Sequence, residues 1–581
     1  MDGYPARTIR IRDYKSQQGL KMINSMKRYF LLAVLSFYIL CYILPLGAIG
    51  LFVPDETRYA EIPREMIASG NWVVPHINGL RYFEKPVFGY WVHAASIMLF
   101  GENNFAVRLP SVVSVGLTAL MLFFMVSRIK DSEDKEKGYM AVLASLIFLS
   151  CFEVFGVGNV AVLDNLFSFF LTATTGALFF ATEKQPGSSG EKYFLILSGI
   201  ACGLAFLTKG FLAFAIPVLA IVPYLIWERR YSDIIRMSWL PILIAVLVIL
   251  PWGILINTRD ANFWHFFFWN EHIRRFMEHD AQHKQSFWYF FMASPGMFMP
   301  WTFLVPAAVA GLIPLMKTNN SQQGRLIRFS LCWLVLPFLF FSSSSGKLLT
   351  YILPCFPPFA ILMLFGLENV LKKGLINIFK WGIAGIGIFF GVVFFALIYV
   401  QLFGFNNFHP FKHPWKAIMF ANSMVAILVF CLGAVKSSKM LNKILLVGIS
   451  PFLFFFMIHF IVPDTSLVRK VPGILLENYK DISNDTTVIS DGNTITAACW
   501  YLRRNNIYVL EDAGELDYGL SYPDASQRLI HLKSAAGFIK KNRGNVVLIG
   551  RIKNLQKWKD QLPDPVSRDE SGPEGYALWK Y

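Results

Sequence analysis

PDETRYAEIPREMIASGNWVVPHINGLRYFEKP, residues 54–86, follows directly on the apolar run YFLLAVLSFYILCYILPLGAIGLFV, residues 29–53. The apolar run holds 25 residues and no charged side chain. As a helix it is long enough to cross a hydrocarbon core of about 30 Å. A helix is also the form that satisfies its own backbone polar groups in lipid. The run ends without a small-residue cleavage site, so it reads as a retained span rather than a removed leader. Nine charged residues then crowd the mouth of that span. Apolar runs broken by polar turns recur down the chain, and the pattern dictates a polytopic α-helical membrane protein.

Composition points the same way. Of 581 residues, 55% are hydrophobic and 16% charged, with a mean hydropathy of +0.47. Runs at 29–53, 107–128, 139–156, 163–182, 192–208, 210–227, 237–256, 298–316, 327–343, 349–371, 376–403, 414–435 and 442–462 predict about thirteen transmembrane helices. The formal net charge of +16 would suit a nucleic-acid binder. Much of the Lys and Arg lies in short loops between spans, however, so no nucleic-acid partner is read from it.

One run, 86–100, is short for a span. If it does not cross and the N-terminus is cytoplasmic, the basic loops near 128–137, 229–236, 317–328, 372–380 and 436–443 all fall inside. If it crosses, those loops flip outward and the positive-inside rule fails throughout. The run therefore reads as an interfacial or re-entrant helix within an outer loop, 54–106. That topology gathers loop 54–106, Asp164, Lys209, loop 257–297, the turn at 342–347 and the C-terminal tail on one outer face.

The chain divides into a membrane part, 1–462, and a tail, 463–581. In the tail the apolar pattern shortens to strand-like runs at 486–490, 506–511, 545–550 and 575–581, with helical patterns at 493–505 and 526–542. This alternation predicts a small soluble α/β domain. Of seven cysteines only Cys499 lies in the tail, so no disulfide forms within it.

Candidates for chemistry sit at the edges of apolar runs. Asp55 and Glu56 suit the N-terminus of a helix, yet Asp55 also stands where the first span leaves the membrane. Arg58, Arg81, Tyr82, Glu84 and Lys85 share its loop. Asp164, at the start of an apolar helix, reads as an N-cap or as a functional acid near membrane depth. Lys209, between two apolar runs, snorkels to the interface or grips a lipid-borne phosphate. In loop 257–297, His265, His272, His279 and His283 stand among aromatics with Arg274 and Arg275, a pair suited to holding phosphate or stacking on sugar. His265 with a carboxylate such as Glu84 offers two ligands for a divalent metal, too few to define a site. Lys347 and Tyr351 occupy the turn at another span entrance. Carboxylates and cations on one face of a lipid-embedded body suit a substrate that carries phosphate on a lipid.

These stretches are familiar. Residues 54–91, extending the opening segment through VFGYW, resemble the first outer loop of the bacterial aminoarabinose transferases that modify lipid A. AVLDNLF (161–167), LTKGFLAF (207–214), FFFWNEHIRRF (266–276) and GKLLTYILPCFPP (346–358) resemble further segments of that family, in the same order. The resemblance covers residues 25–370 or so and is carried most specifically by the first loop. It implies the GT-C fold, shared with protein O-mannosyltransferases, in a multi-pass protein of the bacterial inner membrane with its active site and soluble domain periplasmic. It implies transfer of 4-amino-4-deoxy-L-arabinose from undecaprenyl phosphate to a lipid A phosphate, and with it resistance to polymyxin-type peptides.

The first-loop acid, usually the catalytic carboxylate of this fold, falls on Asp55. Under this reading Asp55, Glu84 and Asp164 shape the sugar site. Lys85, Lys209, Arg274 and Lys347 neutralise the phosphates, and Arg58, Arg81, Tyr82, Arg275 and Tyr351 complete substrate binding. No cofactor is required, although a divalent metal on Glu84 and His265 stays open. So do a different polyprenyl-phosphate sugar with a hydroxyl acceptor, for which Asp55 would be a base, and a lipid-linked sugar transporter.

Overall fold

A computed structural model describes residues 28–129, 134–269, 284–317, 321–404 and 409–581. Helices α1 (Arg28–Ile43), α2 (Asp55–Ser69), α3 (Phe88–Phe100) and α4 (Asn104–Ser127) open the chain. Then follow α5 (Gly138–Leu149), α6 (Phe152–Gly158), α7 (Leu163–Thr182), α8 (Ser189–Lys209), α9 (Leu212–Trp227) and α10 (Tyr231–Arg259). The helical body closes with α11 (Tyr289–Met297), α12 (Trp301–Met316), α13 (Gln322–Ser343), α14 (Leu349–Lys372), α15 (Ile376–Phe403), α16 (Pro414–Lys436) and α17 (Met440–Ile461).

Among the described residues, nine of these helices are long and apolar enough to cross a membrane, or up to eleven if α5 with α6 and α11 with α12 each form one broken span. α1 and α9 are shorter. Each of the thirteen apolar runs therefore carries helix, but four of them in short or broken form. α3 has 13 residues, about 20 Å at 1.5 Å per residue, which is less than the hydrocarbon thickness. Small polar residues start the long helices: Asn103, Ser188 and Ser321 each accept a backbone N–H three residues on.

The tail carries a six-stranded sheet. Strands β3 (Thr487–Asp491), β4 (Tyr508–Leu510), β5 (Leu529–Ile530) and β6 (Val546–Arg551) are parallel; β7 (Ser567–Glu570) and β8 (Tyr576–Lys580) run antiparallel at one side. The spatial order is β5-β4-β3-β6-β8-β7. Helix α18 (Ile495–Leu502) connects β3 to β4. The helical pattern at 526–542 resolves into the strand β5 and helix α19 (Leu532–Lys541). A small hairpin, β1 (His76–Ile77) with β2 (Leu80–Arg81), closes the first loop.

The charged helix α2 is wedged between body and tail, and every charge on it but Asp55 is buried. Glu61 and Arg64 form a two-pronged pair at 2.6–2.7 Å, and Glu65 accepts the Gly79 N–H at 2.9 Å. Thr57 meets Thr496 of α18 at 2.7 Å. Asn78 exchanges hydrogen bonds with the backbone of Ile507. Gly79 follows at φ +69, with Asn505 O only 2.8 Å from where a Cβ would stand. Positive φ and that close approach both favour glycine there.

The firmest tie is Glu56 to Arg108 of α4. Both are buried, and the guanidinium meets the carboxylate twice at 2.7 Å. Glu56 also accepts the N–H groups of Phe52 and Ala161, each at 2.8 Å. Arg108 donates to the carbonyls of Leu46, Ile49 and Gly50. Removing one partner of a buried pair costs about 3–5 kcal/mol, because the other charge stays buried without compensation. Glu56→Ala should therefore lower the melting temperature of the purified protein sharply or prevent its accumulation. An unchanged melting curve would show that the pair is not needed for the fold.

Candidate active site

Asp55 opens α2, and three residues on, one turn along the same helix, is Arg58. The Arg58 guanidinium is nearly buried and works as a fork. One nitrogen lies 2.6 Å from Asp55 Oδ1 and 3.3 Å from Glu515 Oε1. The other donates to the Tyr82 hydroxyl at 3.0 Å and lies 3.6 Å from Glu84 Oε2. Tyr82 in turn reaches Glu515 Oε2 at 3.4 Å. One cation thus holds three carboxylates and a phenol. Asp55 stays about half exposed (53%) where its partner is 8% exposed, so it is the acid a substrate can meet.

Burial pushes the Glu515 carboxyl above its ordinary range; Arg58 pulls it back, while Glu84 and Asp55 push it further. Burial likewise raises the Tyr82 phenol, against the pull of Arg58, and keeps it a neutral hydrogen-bonding group. Lys85 donates to the Glu84 carbonyl at 2.9 Å.

A second cluster stands where the N-terminal ends of α7 and α14 meet the C-terminal end of α8. Lys209, the last residue of α8, lies 2.6 Å from Asp164 in the first turn of α7. Its ammonium sits 4.7 Å from the centre of the Tyr351 ring. Tyr59 links the clusters. Its ring stacks on Tyr90 at 6.2 Å, and the charges of Asp55, Asp164 and Glu84 all reach its phenol.

The other sequence candidates are placed apart from these two groups. Arg81 pairs with Asp260 at 3.3 Å and Asp524 at 3.1 Å, and lies over the Tyr522 ring at 4.2 Å. Lys347 is buried at 2% exposure, its ammonium donating to the carbonyls of Gln285 at 3.0 Å and of Ser344. Burial lowers its pKa. His265 lines a cleft of about 330 Å³ with Asn262, Phe266, Tyr518, Ser521, Tyr522 and Pro523. Arg274 and Arg275 lie outside the described residues, as do His272, His279 and His283. Among the described residues no group of three or more His, Cys, Asp and Glu side chains stands together to hold a metal ion.

Sequence reasoning did not find Glu515, Tyr59 or Asp260. Glu515 lies in the tail, remote in sequence from Arg58, and no spacing rule connects them. Tyr59 was one aromatic among many.

Comparison with known proteins follows the same division of the chain. Residues 27–267 match the family described as dolichyl-phosphate-mannose-protein mannosyltransferase, and residues 468–579 match the arabinosyl transferase ArnT C-terminal domain. The chain superposes on the crystal structure of ArnT from Cupriavidus metallidurans bound to undecaprenyl phosphate with a TM-score of 0.78. That match is 22% identical and covers 95% of this chain and 97% of that one, so the fold is shared. The undecaprenyl phosphate-α-4-amino-4-deoxy-L-arabinose arabinosyl transferase of Aeromonas hydrophila subsp. hydrophila is 37% identical over 529 residues, 90% of this chain and 92% of that protein. The protein of the same name from Shewanella sediminis (strain HAW-EB3) is 38% identical over 547 residues, 92% of this chain and 95% of that protein. With that identity along nearly its whole length, on a helical membrane body and a sheet-bearing tail that both match, the chain belongs to the undecaprenyl phosphate-α-4-amino-4-deoxy-L-arabinose arabinosyl transferase family of membrane glycosyltransferases.

Proposed function

We propose that this protein moves 4-amino-4-deoxy-L-arabinose from undecaprenyl phosphate to a phosphate of lipid A at the periplasmic face of the bacterial inner membrane. The observation that carries the reading is the Arg58 fork, which presents a half-exposed Asp55 beside the Asp164–Lys209 pair. The names of the relatives support the donor. The excess of Lys and Arg in the loops facing away from this cluster supports its outward side.

The acceptor sets the chemistry. A lipid A phosphate oxygen is anionic near neutral pH, so it attacks without a general base. Its lone pair forms a bond to the anomeric carbon as the bond from that carbon to the undecaprenyl phosphate oxygen breaks. The electron pair leaves with the undecaprenyl phosphate, and the anomeric centre inverts. Asp55 then positions the sugar, with Glu84 and Asp164, rather than abstracting a proton. Lys85 and Lys209 meet the negative charge that develops on the leaving phosphate, and Arg274 is assigned to the same task; Lys347 would join them only by giving up its bonds to the Gln285 and Ser344 carbonyls. Transfer adds a cationic sugar to an anionic surface, which weakens its attraction for cationic antimicrobial peptides. The match to the mannosyltransferase family over residues 27–267 favours a second reading, transfer to a hydroxyl. There Asp55 would act as base and activity would fall at acidic pH.

Lipid A from a Gram-negative host that lacks its own transferase but makes the donor should gain the mass of aminoarabinose when this gene is expressed. The gain should vanish in Asp55→Asn, and polymyxin tolerance should follow it. A well-expressed protein that leaves lipid A unchanged would move the acceptor to a glycan or protein hydroxyl. Arg58→Lys keeps the charge but loses the fork. It should melt near wild type and transfer at least about tenfold more slowly, the weight of one charge-assisted hydrogen bond. A wild-type rate would show that the fork does not matter to transfer.

A further inference from the structure

Glu153 is the acid that the arrangement above leaves over. It lies in the first turn of α6, which follows α5 after a 68° bend. α6 packs against the N-terminal part of α14, which carries Tyr351, and against α7, which carries Asp164. Its neighbours in sequence are held firmly. Phe152 N donates to Met299 O at 3.0 Å, and Phe155 stacks on Phe455 at 3.8 Å. Glu153 itself is only partly buried, and the charge of Asp164 reaches it.

Almost every other acid of the helical body whose side chain is described has a cation. Glu56 has Arg108, Asp55 and Glu84 have Arg58, Glu61 has Arg64, and Asp164 has Lys209. Glu183, Glu191, Glu228 and Asp233 each have an arginine. Glu65, the exception, accepts the Gly79 N–H at 2.9 Å. Glu153 has neither an ion pair nor a hydrogen bond among the described residues. A carboxylate within a membrane body is costly and persists for a function. Here it stands next to a site whose nearest acid is already matched by Lys209, so a ligand cation is what would complete it.

We infer that Glu153 receives the ammonium group of the aminosugar and makes the site select a cationic sugar over a neutral one. The inference rests on the proposed donor. It assigns the amine to a residue outside the Asp55 cluster, whose three carboxylates already share Arg58. It also explains why this acid has no protein partner: a resident lysine or arginine there would repel the donor amine and block its place.

The test compares two donors on the purified full-length protein in lipid nanodiscs. One is undecaprenyl phosphate carrying aminoarabinose; the other carries the same pentose with a hydroxyl in place of the amine. The readout is the ratio of kcat/KM for the two. Glu153→Gln should lower that ratio at least about tenfold, chiefly through KM for the amino donor, and Glu153→Asp should restore part of it. A ratio unchanged in Glu153→Gln would overturn the inference, as would equal losses on both donors that Glu153→Asp does not relieve. If the wild-type protein itself fails to use the amino donor, the proposed function falls, and the inference with it. Should Glu153→Gln not accumulate, Glu153→Asp against Glu153→Ala reads the same ratio.

Discussion

The buried pair of Arg108 and Glu56 fixes the geometry on which the site depends. Taking two ions out of water costs several kcal/mol each, and only dense hydrogen bonding offsets it. Here the density is high. Arg108 meets a carboxylate twice and three carbonyls besides, while Glu56 accepts two backbone N–H groups as well. Those bonds join four pieces of chain: the segment after α1, the start of α2, α4, and the turn before α7. Asp55 precedes Glu56 by one residue. Asp164 follows Ala161, whose N–H binds Glu56, by three. The two acids of the site come from distant parts of the sequence, and one ion pair sets both positions.

This answers why a chain made for lipid puts so many charges at the mouth of its first span. Most of them are internal joints. Glu56 holds the body together. Glu61, Arg64 and Glu65 are buried on the helix that the tail covers. Arg58 brings the tail's Glu515 into the site. Only Asp55 is left half open to a substrate. The tail is therefore part of the site, since without Glu515 the Arg58 fork would lose one of its three carboxylates.

The helical body was legible because lipid enforces it: an apolar run has few options other than helix. Where the reading ran long, the reason is local. The run 29–53 is helical only to Ile43, because Arg108 needs the carbonyls of Leu46, Ile49 and Gly50, which a continuing helix would use itself. In the tail, β7 was invisible. Its sequence SRDE is wholly exposed and sits at the edge of the sheet, so it shows no alternation of polar and apolar residues. The candidate site was legible in part. Asp55, Glu84, Asp164 and Lys209 stood out as charges beside apolar runs, and the structure gathers them into two adjoining groups. Arg58 was one cation among several in its loop, and its role as the fork shows only when Tyr82 and Glu515 fold against it. Glu153 had no signal beyond being an acid in an apolar run.

Under the proposed function, the charge balance of the candidate site bears on how the donor would bind. Asp55, Glu84 and Glu515 gather on Arg58 and Asp164 on Lys209, and Glu153 lies on a helix packed against the second group, so among the described residues of the candidate site acids outnumber cations. Such a field attracts an ammonium group and repels a phosphate. A donor that carries both must be oriented by it, its amine toward the acids and its phosphate toward whatever cations stand apart from them. Lys209 is held by Asp164 and Lys85 by the Glu84 carbonyl. The adjacent arginines at 274 and 275, in a stretch rich in aromatics, are further cations that the sequence offers to the phosphate end under the proposed function. A neutral sugar would feel only the repulsion of its phosphate, with no amine to offset it. Under that reading, discrimination between sugars would need no close-fitting pocket: it would follow from an excess of acidic groups around one mobile positive charge.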